Sequence, residues 1–337
     1  MVHAMTYRRL PPESEMPQVF GEWLNWLSLH ENKSPSTIRA YSQGVRRVIS
    51  FAEFAPSEVA EFGPNAWNQA SLTDTVREMM VVGEISASTF NQSLAALKSF
   101  FHYCRADFLV DTVPDVYRIQ QMSRVAVPRQ EPECYHLDQV RHLFKAATES
   151  DYEQGLRIHW PARDLAMCGF LAVLGLRASE LFNADLDWIS PEYQVDWHDQ
   201  PFGLTRVNES LGDYLDWVPW ERHVDWEDVI RVVGKGLRTR HLPMTPELVA
   251  ANEFWQFERA ERFGGARTGD PLFVTNGGER FTYGQLRYWL RGLNRLAGLR
   301  DYSLKALRLT ARDQLEDAGV SRRKVGRLLG MDRPDHL

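Results

Sequence analysis

Apolar residues recur at helical spacing from the start of the chain. Phe20, Trp23, Leu24 and Leu27 fall at i, i+3, i+4 and i+7, one face of a helix. Ser34 then stands where an N-cap would, with Pro35 at the first helical position. Ile38, Tyr41, Val45, Val48 and Ile49 continue as a second stripe, with Arg39, Arg46 and Arg47 on the same helix. A third helix is marked by Phe90, Leu94, Leu97, Phe101 and Cys104. Residues 15–118 are therefore expected to form a small all-helical bundle.

The periodicity stops over 119–134, where two prolines and several charges predict a linker. Beyond it the pattern predicts helices over 137–147 and 161–174. Two short extended runs, 229–233 and 241–244, flank a Gly-Lys-Gly turn and predict a β-hairpin. Further helices are predicted to start at Pro246 and Thr282, and a last pair spans 303–331 with Gly319 as the break. The second domain, 135–337, thus reads as mainly helical with a small antiparallel sheet.

Composition narrows the class. With 44% hydrophobic and 25% charged residues over 337 positions, the chain is neither disordered nor fibrous. No run approaches the ~18 consecutive apolar residues of a membrane helix, and the N-terminus lacks the apolar core of a secretion signal. Cys104, Cys134 and Cys168 are odd in number and lack metal-ligand spacing, which predicts reduced thiols. A soluble cytoplasmic protein without membrane contact is expected.

The net charge of −6 argues against a nucleic-acid partner only until it is divided along the chain. Between Asp185 and Asp228 twelve acidic residues face only Arg206 and Arg222, a local charge of −10 that leaves +4 on the rest. Five of the eleven tryptophans lie in the same segment (Trp188, Trp197, Trp217, Trp220 and Trp226). It reads as an insertion at about 185–228 with its own aromatic core. The sharper alternative is a docking site for an accessory protein or a neighbouring subunit.

Four pieces of the second domain carry the chemistry: Gly-Leu-Arg-Ala-Ser-Glu-Leu at 175–181, the turn Gly234-Lys235-Gly236 with Arg238, Arg240 and Pro243 after it, Ser303 to Leu315, and Gly319 to Met331. No phosphate-binding GxxxxGK[ST] loop is present, and no His, Cys, Asp and Glu cluster suggests a metal. Attack on a phosphodiester builds negative charge on the non-bridging oxygens. Two guanidiniums can hold those oxygens bidentately, through charge-assisted hydrogen bonds.

Taken in this order, the four pieces resemble the tyrosine recombinase (phage integrase) family. Arg177 and Glu180 match its G-L-R-x-S-E-L box, Lys235 its hairpin lysine, Arg308 the arginine of H-x-L-R-H, and Leu329-Gly330 its L-G-H box. The helices around 34–51 and 86–104 resemble the family's core-binding, SAM-like domain. The resemblance implies a helical core-binding domain joined to an α+β catalytic domain, and site-specific DNA breakage and rejoining through a 3′-phosphotyrosine, without metal or cofactor. It also implies that Arg177 and Arg308 clamp the phosphate, that Lys235 serves as general acid, that Lys305 assists where the family has His, and that Glu180 gives structural support. Double-stranded DNA and a homo-oligomer, a tetramer at synapsis, are the implied partners, with a nucleoid-associated location.

Phosphate contacts are expected from Lys33, Arg39, Arg46, Arg47 and Lys98 in the first domain, and from Arg238, Arg240, Arg322, Arg323, Lys324 and Arg327 in the second. The family pattern is broken at Leu309, at Met331 and at the nucleophile. Leu309 and Met331 stand where the family has donors. The family tyrosine would fall near position 340, beyond Leu337. The second domain is therefore expected to be C-terminally incomplete, and the chain as written inactive in cleavage. A catalytically silent DNA-binding regulator is the alternative.

Overall fold

The computed structural model describes residues 10–52, 67–81, 85–106, 113–123, 133–148, 160–189, 230–234, 239–242, 246–265, 267 and 269–331. The chain divides into two compact units, 1–130 and 131–337. It is mainly helical with one two-stranded antiparallel sheet: an N-terminal helical bundle is followed by an α+β region.

The first unit contains α1 (Gln18–Leu29), α2 (Pro35–Phe51), α3 (Gln69–Val81), α4 (Ala87–Ala106) and α5 (Val116–Ser123). Ser34 caps α2, its hydroxyl accepting the N–H of Thr37 at 3.3 Å, with Pro35 at the first position. The stripes read from the sequence face inward, and Trp23, Leu27, Val45, Val48, Leu94 and Leu97 are fully buried. Helices α2 and α4 pack closely because Gly44 has no side chain: a Cβ there would stand 2.8 Å from that of Ala96.

Two elements of this unit depart from the expectation. Helix α3 was not predicted, because its inward face carries only Leu72, Val76 and Met79 as apolar residues. The buried Thr75 fills the remaining place and returns its hydroxyl to Ser71 O at 2.9 Å. The expected linker at 119–134 begins too early, since α5 continues to Ser123 and buries Val116 and Ile119.

In the second unit α6 (Leu137–Thr148), α7 (Pro161–Ala172), α8 (Ala178–Asn183), β1 (Ile230–Val233), β2 (Thr239–Leu242), α9 (Pro246–Phe263), α10 (Tyr283–Leu296), α11 (Leu304–Asp317) and α12 (Arg322–Leu328) follow in order. Helix α7 is central: every residue from Ala162 to Ala172 is buried, against α6, α9 and α11. Its charged pair is internally matched. Arg163 donates to Asp164 Oδ1 at 2.8 and 3.0 Å, to Val274 O at 3.1 Å and to Asn276 Oδ1 at 2.8 Å, which ties the 274–280 turn to the core helix.

The strands pair Ile230 with Leu242 and Val232 with Arg240. Cross-strand partners share a face, so Arg240 lies on the buried side with Ile230, Val232 and Leu242. Residues 190–229 of the acidic, Trp-rich segment lie outside the described residues. The flanking Ile189 and Ile230 form an antiparallel bridge, so the chain leaves and returns at one place. Among the described residues no helix is long and apolar enough to cross a membrane.

Candidate active site

Helix α7 stops at Ala172, two residues before its expected end at 174 and just ahead of the Gly-Leu-Arg box. Gly175 takes a left-handed φ of 61°, and the chain re-enters helix at α8 with Arg177 as N-cap. Glu180, three residues on, turns back and accepts the Arg177 N–H at 2.7 Å, one half of a capping box. The same carboxylate accepts Arg177 Nη1 at 2.7 Å.

Glu180 also receives Arg240 from β2 as a fork: Nη1 to Oε1 at 2.7 Å and Nη2 to Oε2 at 2.9 Å. Arg308 of α11 brings Nη1 to 3.9 Å of Oε2. Three guanidiniums thus meet around one buried carboxylate.

A second relationship arranges the same three side chains. The last carbonyls of a helix have no intrahelical partner and favour cations. At the end of α12, Leu328 O accepts Arg240 Nε at 2.8 Å, Leu329 O accepts Arg308 Nη2, and Gly330 O accepts Arg177 Nη2. Arg308 Nη1 is anchored as well, to Gly175 O at 2.6 Å. Gly330 closes the helix at φ 60°, with the Met331 N–H reaching Gly326 O at 2.8 Å.

The electrostatics follow from this packing. Burial pulls the Glu180 carboxyl up, but the hydrogen bonds and charge of Arg240, then those of Arg177, outweigh it and hold it below the usual carboxylate range. Arg308 is pulled down to about 10, first by burial and then by the Arg177 charge, so it is a desolvated cation that remains charged at neutral pH. Three cations against one anion leave a local surplus of positive charge, and Arg177, about one-third exposed, is its outlet to solvent.

Lys305 is exposed, one turn before Arg308 on α11, whereas Leu309 is buried. Met331 packs with the apolar cluster of Leu315, Val320, Val325 and Leu329. Lys235 and Arg238 lie outside the described residues. Among the described residues no three His, Cys, Asp or Glu side chains gather closely enough to hold a metal ion.

The residues expected to meet phosphate divide sharply. Arg39, Lys98, Arg322, Arg323 and Arg327 are exposed, with Lys98 4.7 Å above the Tyr117 ring; Lys324 is half-buried. Lys33 is 3.2 Å from Glu31. Arg46 donates to Pro11 O and pairs with Glu13 at 3.4 Å, and Arg47, its pKa lowered by burial, donates to Ser93 Oγ at 3.2 Å. Arg240, expected as a phosphate contact, is only 12% exposed, with all three guanidinium nitrogens engaged within the protein. The burial alternation of the hairpin, which puts residue 240 on the face of Leu242, was the available signal.

A cationic face was missed. Helix α10 carries Arg287, Arg291 and Arg295 and no acidic residue, and all three are exposed beside Tyr283 and Tyr288, 56% and 59% exposed. Arg291 pairs with Asp301 at 3.0 Å. The i, i+4, i+8 spacing of the arginines was legible in the sequence.

Residues 20–107 match the model of the phage integrase N-terminal SAM-like domain. The chain is 25% identical over 319 residues to the tyrosine recombinase XerC of Herpetosiphon aurantiacus, covering 94% of this chain and 87% of that protein. It is 26% identical over 321 residues to XerC of Corynebacterium efficiens, covering 95% and 85%. Its fold is similar to that of the XerH site-specific recombinase bound to palindromic difH substrate, with a TM-score of 0.62 at 14% identity over 98% of this chain and 94% of that one. It is similar too to the Tn1549 transposon integrase in complex with transposon right end DNA, with a TM-score of 0.61 at 14% identity over 94% and 92%. The helical bundle matched over residues 20–107 and these likenesses in sequence and fold agree: at low identity, the chain is similar to the tyrosine recombinases and phage integrases.

Proposed function

We propose that the second unit clamps a DNA phosphate between Arg177 and Arg308, in the manner of site-specific recombination. The observation that carries this is the charge surplus around Glu180: Arg308 is held desolvated beside Arg177, and an arriving phosphate relieves that repulsion while accepting from both. In the full reaction a tyrosine hydroxyl attacks phosphorus, the bond to the 5′ oxygen breaks, and that oxygen takes a proton from Lys235. A 3′-phosphotyrosine remains, which a 5′-hydroxyl of the partner strand then attacks to restore the phosphodiester and free the tyrosine. Lys305 supplies a further cation at the phosphate. The exposed arginines of α10 and α12, with Arg39 and Lys98, supply sequence-independent affinity.

The last tyrosine of these 337 residues is Tyr302, buried against Tyr135 at a ring distance of 4.1 Å and donating to Gln139. For these residues alone we propose phosphate clamping without strand cleavage. The second reading, a silent DNA-binding regulator, is favoured by Met331, whose side chain joins an apolar cluster where a donor would be needed. The test is selection of bound sites from a random duplex library, followed by incubation with nicked versions of the selected site and a denaturing gel. Salt-sensitive binding without a covalent adduct is expected. An adduct refutes the silent reading, and absence of binding refutes the clamp.

A further inference from the structure

We propose that Arg240 is a positioning residue that sets the orientation of Arg177 and Arg308, and that it does not contact DNA. This rests on the reading of those two arginines as the phosphate clamp.

The argument begins with the hydrogen-bond capacity of the side chain. A guanidinium has five N–H donors in a fixed fork. In Arg240, Nε is held by Leu328 O, and Nη1 and Nη2 by the two oxygens of Glu180. Turning this group toward a phosphate would leave Glu180, itself 2% exposed, with the Arg177 bonds alone. Arg308 is as enclosed, but its two bonded nitrogens rest on backbone carbonyls, whereas two of Arg240's form charge-assisted bonds to a carboxylate and hold it more firmly in place.

The surroundings are built for it. Gly330 is the residue that closes α12, and a Cβ added there would stand 2.9 Å from Arg240 Nη1 and 3.3 Å from its Cζ. The missing side chain at 330 is the space the guanidinium occupies. Arg240 therefore joins three pieces that are far apart in sequence: the hairpin from which it projects, the start of α8 through Glu180, and the end of α12 through Leu328. Arg177 hangs on Glu180 and on Gly330 O, and Arg308 on Leu329 O with its Nη1 3.9 Å from Glu180. Removing Arg240 loosens both supports together. Lysine cannot replace it, because one ammonium cannot bridge both carboxylate oxygens and a carbonyl in this fork geometry.

The test compares the intact protein with Arg240→Gln and Arg240→Lys, and uses Arg322→Ala/Arg323→Ala as a control for exposed cations. Two readouts are taken: the salt dependence of binding to a random-sequence duplex, and the 15N guanidinium resonances of Arg177 and Arg308 in the free protein. Arg240→Gln is expected to keep the wild-type slope of log K against log salt, while the control loses about 0.9 for each phosphate contact removed. The Arg177 and Arg308 resonances are expected to shift and exchange faster in both Arg240 variants and to stay in place in the control. Clamp resonances that do not move overturn the proposal, and a slope lowered by about 0.9 in Arg240→Gln with those resonances in place marks Arg240 as a direct phosphate contact. Should Arg240→Gln fail to fold, Arg240→Lys carries the resonance test alone. If the wild type binds no duplex, the clamp reading fails, and the resonances still decide whether Arg240 orders the other two.

Discussion

Leu329 fills the space above Gly175: a Cβ on Gly175 would lie 2.6 Å from Leu329 Cδ2 and 3.2 Å from the Ala311 Cβ. The turn that leads to Arg177 and the helix end that receives its guanidinium are thereby packed directly on one another. Gly175→Ala must both hold a left-handed φ of 61° and displace Leu329. A loss of about 2–4 kcal/mol is expected from the two costs together, read as a lower urea midpoint. An unchanged midpoint would show that the α7–α8 turn relaxes freely.

Glu180→Gln removes the anion from among three cations. At pH 7 a loss of about 3 kcal/mol is expected, since one partner of a buried pair is deleted. The sign with pH follows from the carboxyl's position below its usual range. Its contribution is complete above the unfolded pKa of about 4.3 and disappears as pH falls through the lower folded value. Urea unfolding of wild type and variant should therefore converge in strong acid. A gap that stays constant from pH 7 to pH 3 would contradict the ion-pair account.

Arg163→Met leaves Asp164 in a fully buried position without its guanidinium. The expected cost is about 3–5 kcal/mol, accompanied by faster amide exchange in the 274–280 turn that Arg163 ties to α7. If that turn keeps its protection, the tie lies elsewhere.

Arg287→Ala/Arg295→Ala on α10 should leave thermal stability within about 0.5 kcal/mol of wild type, because both side chains are exposed. Its slope of DNA affinity against salt should fall by about 0.9 for each phosphate released. An unaltered slope would remove α10 from the interface.

Excision of residues 193–224 is expected to leave the second unit folded, because Ile189 and Ile230 already meet in a bridge and only a short loop remains to close. DNA affinity should be unchanged or higher, since the excised residues carry six acids against two arginines. A large fall in affinity would make the acidic segment part of the DNA-binding surface.

The legible part of the fold is the part set by local spacing. Ser34-Pro35 and Thr282 stand at the helix starts where capping chemistry puts them, and the stripes of α1, α2 and α4 face inward as their period requires. Helix α3 escaped because one of its inward places is a threonine, and the extension of α5 because two apolar residues make too short a pattern. Arg177, Glu180 and Arg308 were legible as members of ordered boxes that resemble a known family, the two arginines being of a type suited to phosphate.

By itself, then, the sequence determined most of the helices, the hairpin and the short list of cations, because periodicity, capping and turn chemistry act over a few residues. Tertiary structure alone decided what each cation does. Arg240 and Arg322 are equally charged, yet one is enclosed by Glu180, Leu328 and Gly330 while the other is exposed. Glu180 and Leu328 lie 60 and 88 residues away from Arg240 along the chain. A contact at that separation depends on how helices and hairpin pack, and on which groups burial leaves in need of a partner.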